Sequence, residues 1–244
     1  MPRNKQKAPG ELIYGIHPLL ELLRAKKRKV ISIYTTQPVP KQWRAIEQLM
    51  PKYPVAIQYV GRDVLTRMAG TTDHQSVVAW VQAFPFRQKP FSAEKSPFIL
   101  LLDSIQDPRN LGAILRSAYC TGVTGVMITT RNSAPLNAVA IKSSAGLAEH
   151  LEIQKISSTQ QMLSELKKSY GIYLAALGGE DASAQKYMMP TCLVIGNEAI
   201  GLPKNLFKFG TVVTLAQKEN QISYNASVAT GILLYTMSVQ NKLI

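Results

Sequence analysis

Phe98-Ile-Leu-Leu-Leu102 sets five apolar residues in a row with no polar residue alternating between them. A strand of that kind must be covered on both faces, as a central strand of a parallel sheet is. The chain downstream repeats the theme. Short apolar runs at 123–129, 172–177, 191–195 and 211–215 read as further strands. Segments with helical periodicity, 109–121, 137–146, 158–169 and 225–239, lie between or after them. This alternation predicts an α/β domain over 98–244 with a mostly parallel sheet, whose ligands bind beyond the carboxyl ends of the strands.

The first third predicts a second, smaller α/β domain over 12–82. His17-Pro-Leu-Leu-Glu-Leu-Leu opens a helix with proline in its first turn. Strands are expected at 30–34, 55–60 and 76–81, and helices at 39–50 and 62–69, giving a three- or four-stranded sheet. Residues 83–97 hold three prolines without a clean period and read as a linker. Residues 1–11 read as a disordered basic lead-in with no apolar stretch behind it, unlike a signal peptide. No run approaches the length of a membrane-spanning helix, and a cytoplasmic location is expected. Cys120 and Cys192 fall in apolar contexts without ligand spacing, so both are expected to be small buried hydrophobes.

Charge is unevenly spread. The chain carries a formal +13; residues 1–97 hold 16 Lys/Arg against 6 Asp/Glu, a net +10. Arg24, Lys26, Lys27, Arg28 and Lys29 form the densest basic run. Such a domain suits a polyanion, through phosphate contacts that give affinity rather than sequence discrimination. A basic face that only solubilises the protein is the alternative.

Three segments of the second domain place glycines and polar residues between strongly apolar stretches, where backbone can approach a ligand. They are Asn110-Leu-Gly-Ala-Ile-Leu-Arg116 with Gly122, Ile195-Gly-Asn-Glu-Ala-Ile-Gly201, and Ser223-Tyr-Asn-Ala-Ser227. Arg116 sits among apolar helical neighbours and needs a partner, either a substrate group or a structural ion pair. Glu198 is either a functional carboxylate or an exposed loop residue. Ser223 and Asn225 can cap the last helix as well as serve a site.

Together the three segments resemble the motifs of the SpoU/TrmH family within the SPOUT class, the RNA ribose 2'-O-methyltransferases. Tyr14-Gly-Ile-His-Pro-Leu-Leu-Glu-Leu-Leu and Asp73-His74-Gln75-Ser-Val-Val-Ala79 are similar to the ends of that family's L30e-like substrate-binding domain. The subgroup most resembled is RlmB, whose members methylate a guanosine ribose of 23S rRNA. The resemblance implies a C-terminal SPOUT domain with a parallel sheet and a deep trefoil knot, with S-adenosyl-L-methionine as methyl donor. It implies a homodimer through the C-terminal domain, in line with the surplus of apolar residues (Val228, Ile232, Leu233, Tyr235, Met237) on the final helix.

The resemblance also assigns roles. Arg116 meets the 2'-hydroxyl or a substrate phosphate, Asn110 holds loop geometry, and Glu198 anchors loop amides or pairs with Arg116. Ser223 and Asn225 orient reactive groups. Leu177, Gly178, Gly196, Leu215 and Tyr224 contact the cofactor, with Gly196 leaving room for a flat ligand. No metal is implied. The chain departs from the family's pattern at three places, the first in the loop expected to wrap the cofactor. The family's Ile-Pro-Met, one residue, then Gly reads here Leu215-Ala216-Gln217-Lys218-Glu219; Ala199 stands for a usual glycine; and Tyr224 replaces the leucine of Ser-Leu-Asn. Two further readings follow: a tRNA methyltransferase, and a non-catalytic RNA-binding homologue in ribosome assembly. No dinucleotide loop or nucleophile elbow supports a dehydrogenase or hydrolase.

Overall fold

A computed structural model describes residues 10–219 and 223–244. In chain order its elements begin with β1 (Glu11–Tyr14), α1 (Ile16–Ala25), β2 (Val30–Thr35), α2 (Trp43–Leu49), β3 (Ala56–Tyr59), α3 (Arg62–Ala69) and β4 (Val77–Val81). Then come β5 (Phe98–Leu102), α4 (Pro108–Cys120), β6 (Gly125–Thr129), α5 (Ala138–Ser143), β7 (Ile153–Ile156), α6 (Thr159–Leu166), β8 (Gly171–Asp181), β9 (Thr191–Ile195), β10 (Thr211–Thr214) and α7 (Ala226–Gln240). Short 3-10 turns cover Leu147–His150 and Lys204–Phe209. β1 and β7 are additions to the sequence reading. Each is four residues long, too short for a clear period, and each forms a sheet edge.

The chain forms two compact units. One contains the residues up to Pro85 together with Leu136–His150; the other contains Phe86–Pro135 and Leu151–Ile244. The division falls inside the segment expected to link the domains. The second unit is not the unbroken run 98–244, because 136–150 packs with the first. Ala140 and Ile141 of α5 are buried, and α5 contacts β1 and α1. Glu11, expected in a disordered lead-in, lies in β1; the rest of that lead-in, through residue 9, lies outside the described residues.

The first unit holds a four-stranded sheet in the order β1-β4-β2-β3. β4 runs antiparallel to both β1 and β2, and β3 is parallel to β2. The second unit holds a six-stranded sheet, β10-β8-β9-β5-β6-β7, in which every neighbouring pair is parallel. β5, β6 and β9 are buried at every residue, as the unalternating Phe98–Leu102 run requires. Ile99, Leu101, Met127, Leu174 and Val194 pack with Leu163 and Leu166 of α6 on one side. Elsewhere in the unit α4 packs against α7, and α7 contacts β9. A Cβ built on Gly231 of α7 would lie 3.4 Å from Ser117 Oγ of α4, an ordinary contact distance. Among the described residues no helix is long and apolar enough to cross a membrane.

Candidate active site

The site is built by loops that leave the carboxyl ends of parallel strands. After β5, residues 103–107 run into α4, whose start is fixed by the Asp107 carboxylate accepting from the Arg109 amide at 2.7 Å and by Pro108 in the first turn. After β9, residues 196–202 fold back on themselves. Asn197 shapes that loop: its Oδ1 accepts from the amides of Ala199 and Ile200 (2.9 and 3.1 Å), and its Nδ2 donates to Ser104 O at 2.8 Å. Sequence reasoning passed over Asn197. The signal was present in its type, since an Asn beside glycine in a loop readily bonds backbone amides just downstream.

Glu198 then reaches the neighbouring loop. Its carboxylate accepts from the amides of Gln106 (3.1 and 3.2 Å) and Asp107 (3.2 Å) and from Asn110 Nδ2 (3.2 Å). Asn110 Oδ1 in turn accepts from Asn225 Nδ2 at 3.1 Å. Asn225 also caps α7, its Oδ1 accepting from the Ser227 amide and hydroxyl. Thus one polar chain, Asn225 to Asn110 to Glu198, ties together all three sequence segments. Partial burial disfavours the Glu198 carboxylate. The donors at Gln106, at its own backbone, at Asp107 and at Asn110 outweigh burial and hold its pKa below the ordinary value.

Beside this network lies a largely apolar cavity of about 360 Å3, within the usual range for small-molecule sites. Leu177, Gly196, Leu215 and Tyr224, all expected at a cofactor site, line it, as do Glu198 and Ser223. Ala175 and Ala176 join them through an irregularity of β8. Val212 and Val213 of β10 pair with Leu174 and Glu180, so residues 175–179 leave the ladder and bow outward. Gly178 has φ +79 at the turn of that bow, a left-handed conformation suited to glycine, but is not a lining residue. Gly179 cannot carry a side chain: its Cβ would lie 2.3 Å from Val212 O.

Gly196 needs its missing side chain for another reason than the one expected. A Cβ there would sit 2.5 Å from Gly201 C and Leu202 N. The space is filled by the protein's own returning loop, where Asn197 and Gly201 form a β-bridge. The glycine closes the loop that forms the wall rather than leaving a gap for a ligand.

Arg116 projects outward from α4 and is exposed, while Leu111, Ile114, Leu115 and Ala118 are buried. Among the described residues it forms no hydrogen bond or ion pair, and it makes none with Glu198. It lies about 9 Å along the helix axis from Asn110 and roughly a third of a turn around it. Cys192 is fully buried with its thiol pushed up by burial. Cys120 is exposed, contrary to expectation, because two residues past buried Ala118 lie about 200° around the helix.

In the first unit the basic run divides. Arg28 is buried and therefore drops out as an outward phosphate contact. Its Nε donates to Glu149 Oε2 at 3.0 Å, its Nη1 to Glu11 Oε2 at 2.6 Å and to Gln82 O at 3.0 Å. Arg24 pairs with Glu21, and the Lys27 ammonium donates to His150 O at 2.9 Å. Lys26, in a left-handed conformation after α1, and Lys29 are exposed.

Residues 12–87 match a family model described as RNA 2'-O ribose methyltransferase substrate binding, and residues 97–235 match the SpoU rRNA Methylase family. A parallel sheet with this polar chain at its strand ends is thus that of an RNA ribose 2'-O-methyltransferase, and the chain belongs to the SpoU rRNA Methylase family. A Bacillus subtilis protein, YacO, assigned to the TrmH family of tRNA/rRNA methyltransferases, is 33% identical over 92% of this chain and 94% of its own. The 23S rRNA (guanosine-2'-O-)-methyltransferase RlmB of Shewanella oneidensis is 30% identical over 95% of this chain and 98% of its own. An AdoMet-bound rRNA methyltransferase from Sinorhizobium meliloti shares the fold with a TM-score of 0.79 at 20% identity, over 97% of this chain and 88% of that one.

Proposed function

We propose that the protein transfers a methyl group from S-adenosylmethionine to a ribose 2'-oxygen of structured RNA, a guanosine of 23S rRNA. The observation that carries this reading is the Asn225–Asn110–Glu198 chain beside an apolar cavity of about 360 Å3. The cavity fits the cofactor: its walls suit a flat base, and Gln217, one of the residues that line it, keeps a buried amide nitrogen without a partner among the described residues. Leu177, Gly196, Leu215 and Tyr224 would hold it, with Gly178 shaping the wall. When bound, it supplies an electrophilic methyl group.

The chain's own residues align and neutralise. Glu198, locked to two loop amides, fixes the loops that wall the cavity. Asn110 and Asn225 hold the start of α7 against that frame, and Ser223 lies two residues before Asn225 at the cavity. Arg116, exposed and without a partner among the described residues, meets the 2'-hydroxyl or the adjacent phosphate. A guanidinium keeps its proton at neutral pH, so the hydroxyl proton leaves through water or phosphate. Alignment of oxygen and methyl provides most of the rate.

The guanosine of 23S rRNA is supported by relatives named RlmB that match along nearly the whole chain. A homodimer through the C-terminal unit is supported by α7, whose exposed Val228, Ile232, Tyr235 and Val239 form an apolar stripe opposite buried Leu233, Leu234 and Met237. The deep trefoil knot of the 191–239 region rests on family likeness. The cytoplasm, where ribosomal RNA is modified, is the matching location. A tRNA substrate is the alternative within the class. Glu219, in place of the family's glycine, favours a second reading, RNA binding without methylation during ribosome assembly. Labelled S-adenosylmethionine supplied with total RNA from a strain lacking the gene tests the activity and separates the substrate readings. Label at a 2'-oxygen of a 23S rRNA guanosine is expected; label in tRNA alone moves the substrate, and no label in any RNA favours the binding-only reading.

A further inference from the structure

The amide nitrogen of Gln217 is buried and has no hydrogen-bond partner among the described residues, and the residue lines the cavity together with Leu215 and Tyr224. A buried donor without an acceptor costs free energy, and an apolar side chain of similar length would avoid that cost. The position is also one of this chain's departures, since the resembled motif carries methionine there. The loop is held just before Gln217: Leu215 follows β10 directly, and the Tyr224 hydroxyl donates to Ala216 O at 3.4 Å. The remaining walls are mostly apolar, with Ala176, Leu177, Ile195, Leu202 and Leu233 among them. Such walls accept the faces of an aromatic ring and leave its polar edge to be read by whatever donor is present. A carboxamide is well matched to an adenine edge, where ring nitrogens accept hydrogen bonds.

We infer that Gln217 is a cofactor-recognition residue, its Nε2 donating to a ring nitrogen of the adenine of bound S-adenosylmethionine or S-adenosylhomocysteine. This rests on the methyltransferase reading and adds to it a polar contact in the loop that departs from the family.

The test is calorimetric binding to the full-length protein, with S-adenosylhomocysteine and 5'-methylthioadenosine as probes. Gln217→Met is expected to weaken both by the same factor, about three- to tenfold, the net worth of one neutral hydrogen bond. The unliganded variant is expected to melt no lower than the parent protein. On the unaltered protein, one of the 1-, 3- and 7-deaza analogues of S-adenosylhomocysteine is expected to lose that same factor, and Gln217→Met to be indifferent to that change. Equal affinity of parent and variant would overturn the inference. So would a loss confined to S-adenosylhomocysteine, which places the contact on the amino-acid part, or equal binding of all deaza analogues by the unaltered protein. If the unaltered protein binds none of these ligands, the methyltransferase reading falls as well; if it binds them and only the Gln217 effects are missing, that reading stands.

Discussion

Glu198 touches backbone more than side chains, and this sets what its replacement does. Gln offers one oxygen where the loops present the Gln106 and Asp107 amides, and it turns an NH2 toward donors. Because the folded carboxyl is held below its ordinary pKa, its contribution to stability is complete above the ordinary glutamate range and lost as pH falls through the folded value. Glu198→Gln is therefore expected to melt lower than the parent at neutral pH, with the gap closing in strong acid; a gap independent of pH in thermal melts would contradict this. Arg116 is the opposite case. Exposed, and unpaired among the described residues, it is expected to cost the fold within about 0.5 kcal/mol when changed to Ala, while methyl transfer in a labelled-RNA assay is abolished. Arg116→Lys should also transfer poorly, since Lys lacks the planar fork. The residues of this site were legible because polar groups and glycines stand out between apolar runs. Arg28 was not legible. Its burial depends on Glu149, 121 positions away, and nothing local separates it from its exposed lysine neighbours.

At the level of elements, the central strands were plain in the sequence because a strand covered on both faces has no alternation to misread. The bow in β8 was not, since residues 175–179 continue an apolar run and only the pairing with β10 reveals that they leave the ladder. The returning loop after β9 makes a sharp demand on Gly196. Gly196→Ala drives a Cβ into backbone at 2.5 Å, and the loop must open to admit it. The expected result is a lower melting temperature together with weaker S-adenosylhomocysteine binding by calorimetry, because the same loop walls the cavity. α7 was legible as a helix and also as one with apolar residues to spare. Leu233 and Met237 of the residues first singled out are buried within the unit, whereas Val228, Ile232 and Tyr235 remain exposed. Ile232→Glu is expected to shift the protein from dimer to monomer in sedimentation at micromolar concentration; a parent protein that already sediments as a monomer would end the dimer reading.

Across the whole molecule, the surplus of positive charge is legible from composition, but which charges are free to act is not. Glu149 shows why. Burial raises its pKa while the Arg28 guanidinium works against that rise, and the two side chains are each 1% exposed. Removing one member of such a pair leaves a buried charge alone, so Arg28→Ala is expected to lower stability by about 3–5 kcal/mol in denaturant unfolding. Lys26→Gln with Lys29→Gln is expected to leave stability unchanged, weaken RNA binding and flatten its salt dependence. The same pair makes deletion of residues 1–97 a poor way to isolate the methyltransferase unit, because it strips α5 and Glu149 of the surfaces they pack against. The chain leaves the first unit after Pro85, returns at Leu136 and leaves again after His150. Domains emerging from a ribosome fold as units from the N-terminal end, yet here the first unit, its sheet complete at Val81, waits on a segment that begins only at Leu136. During synthesis Arg28 is therefore without Glu149 until residue 149 has been added, and the first unit reaches its final form only once part of the second is already out.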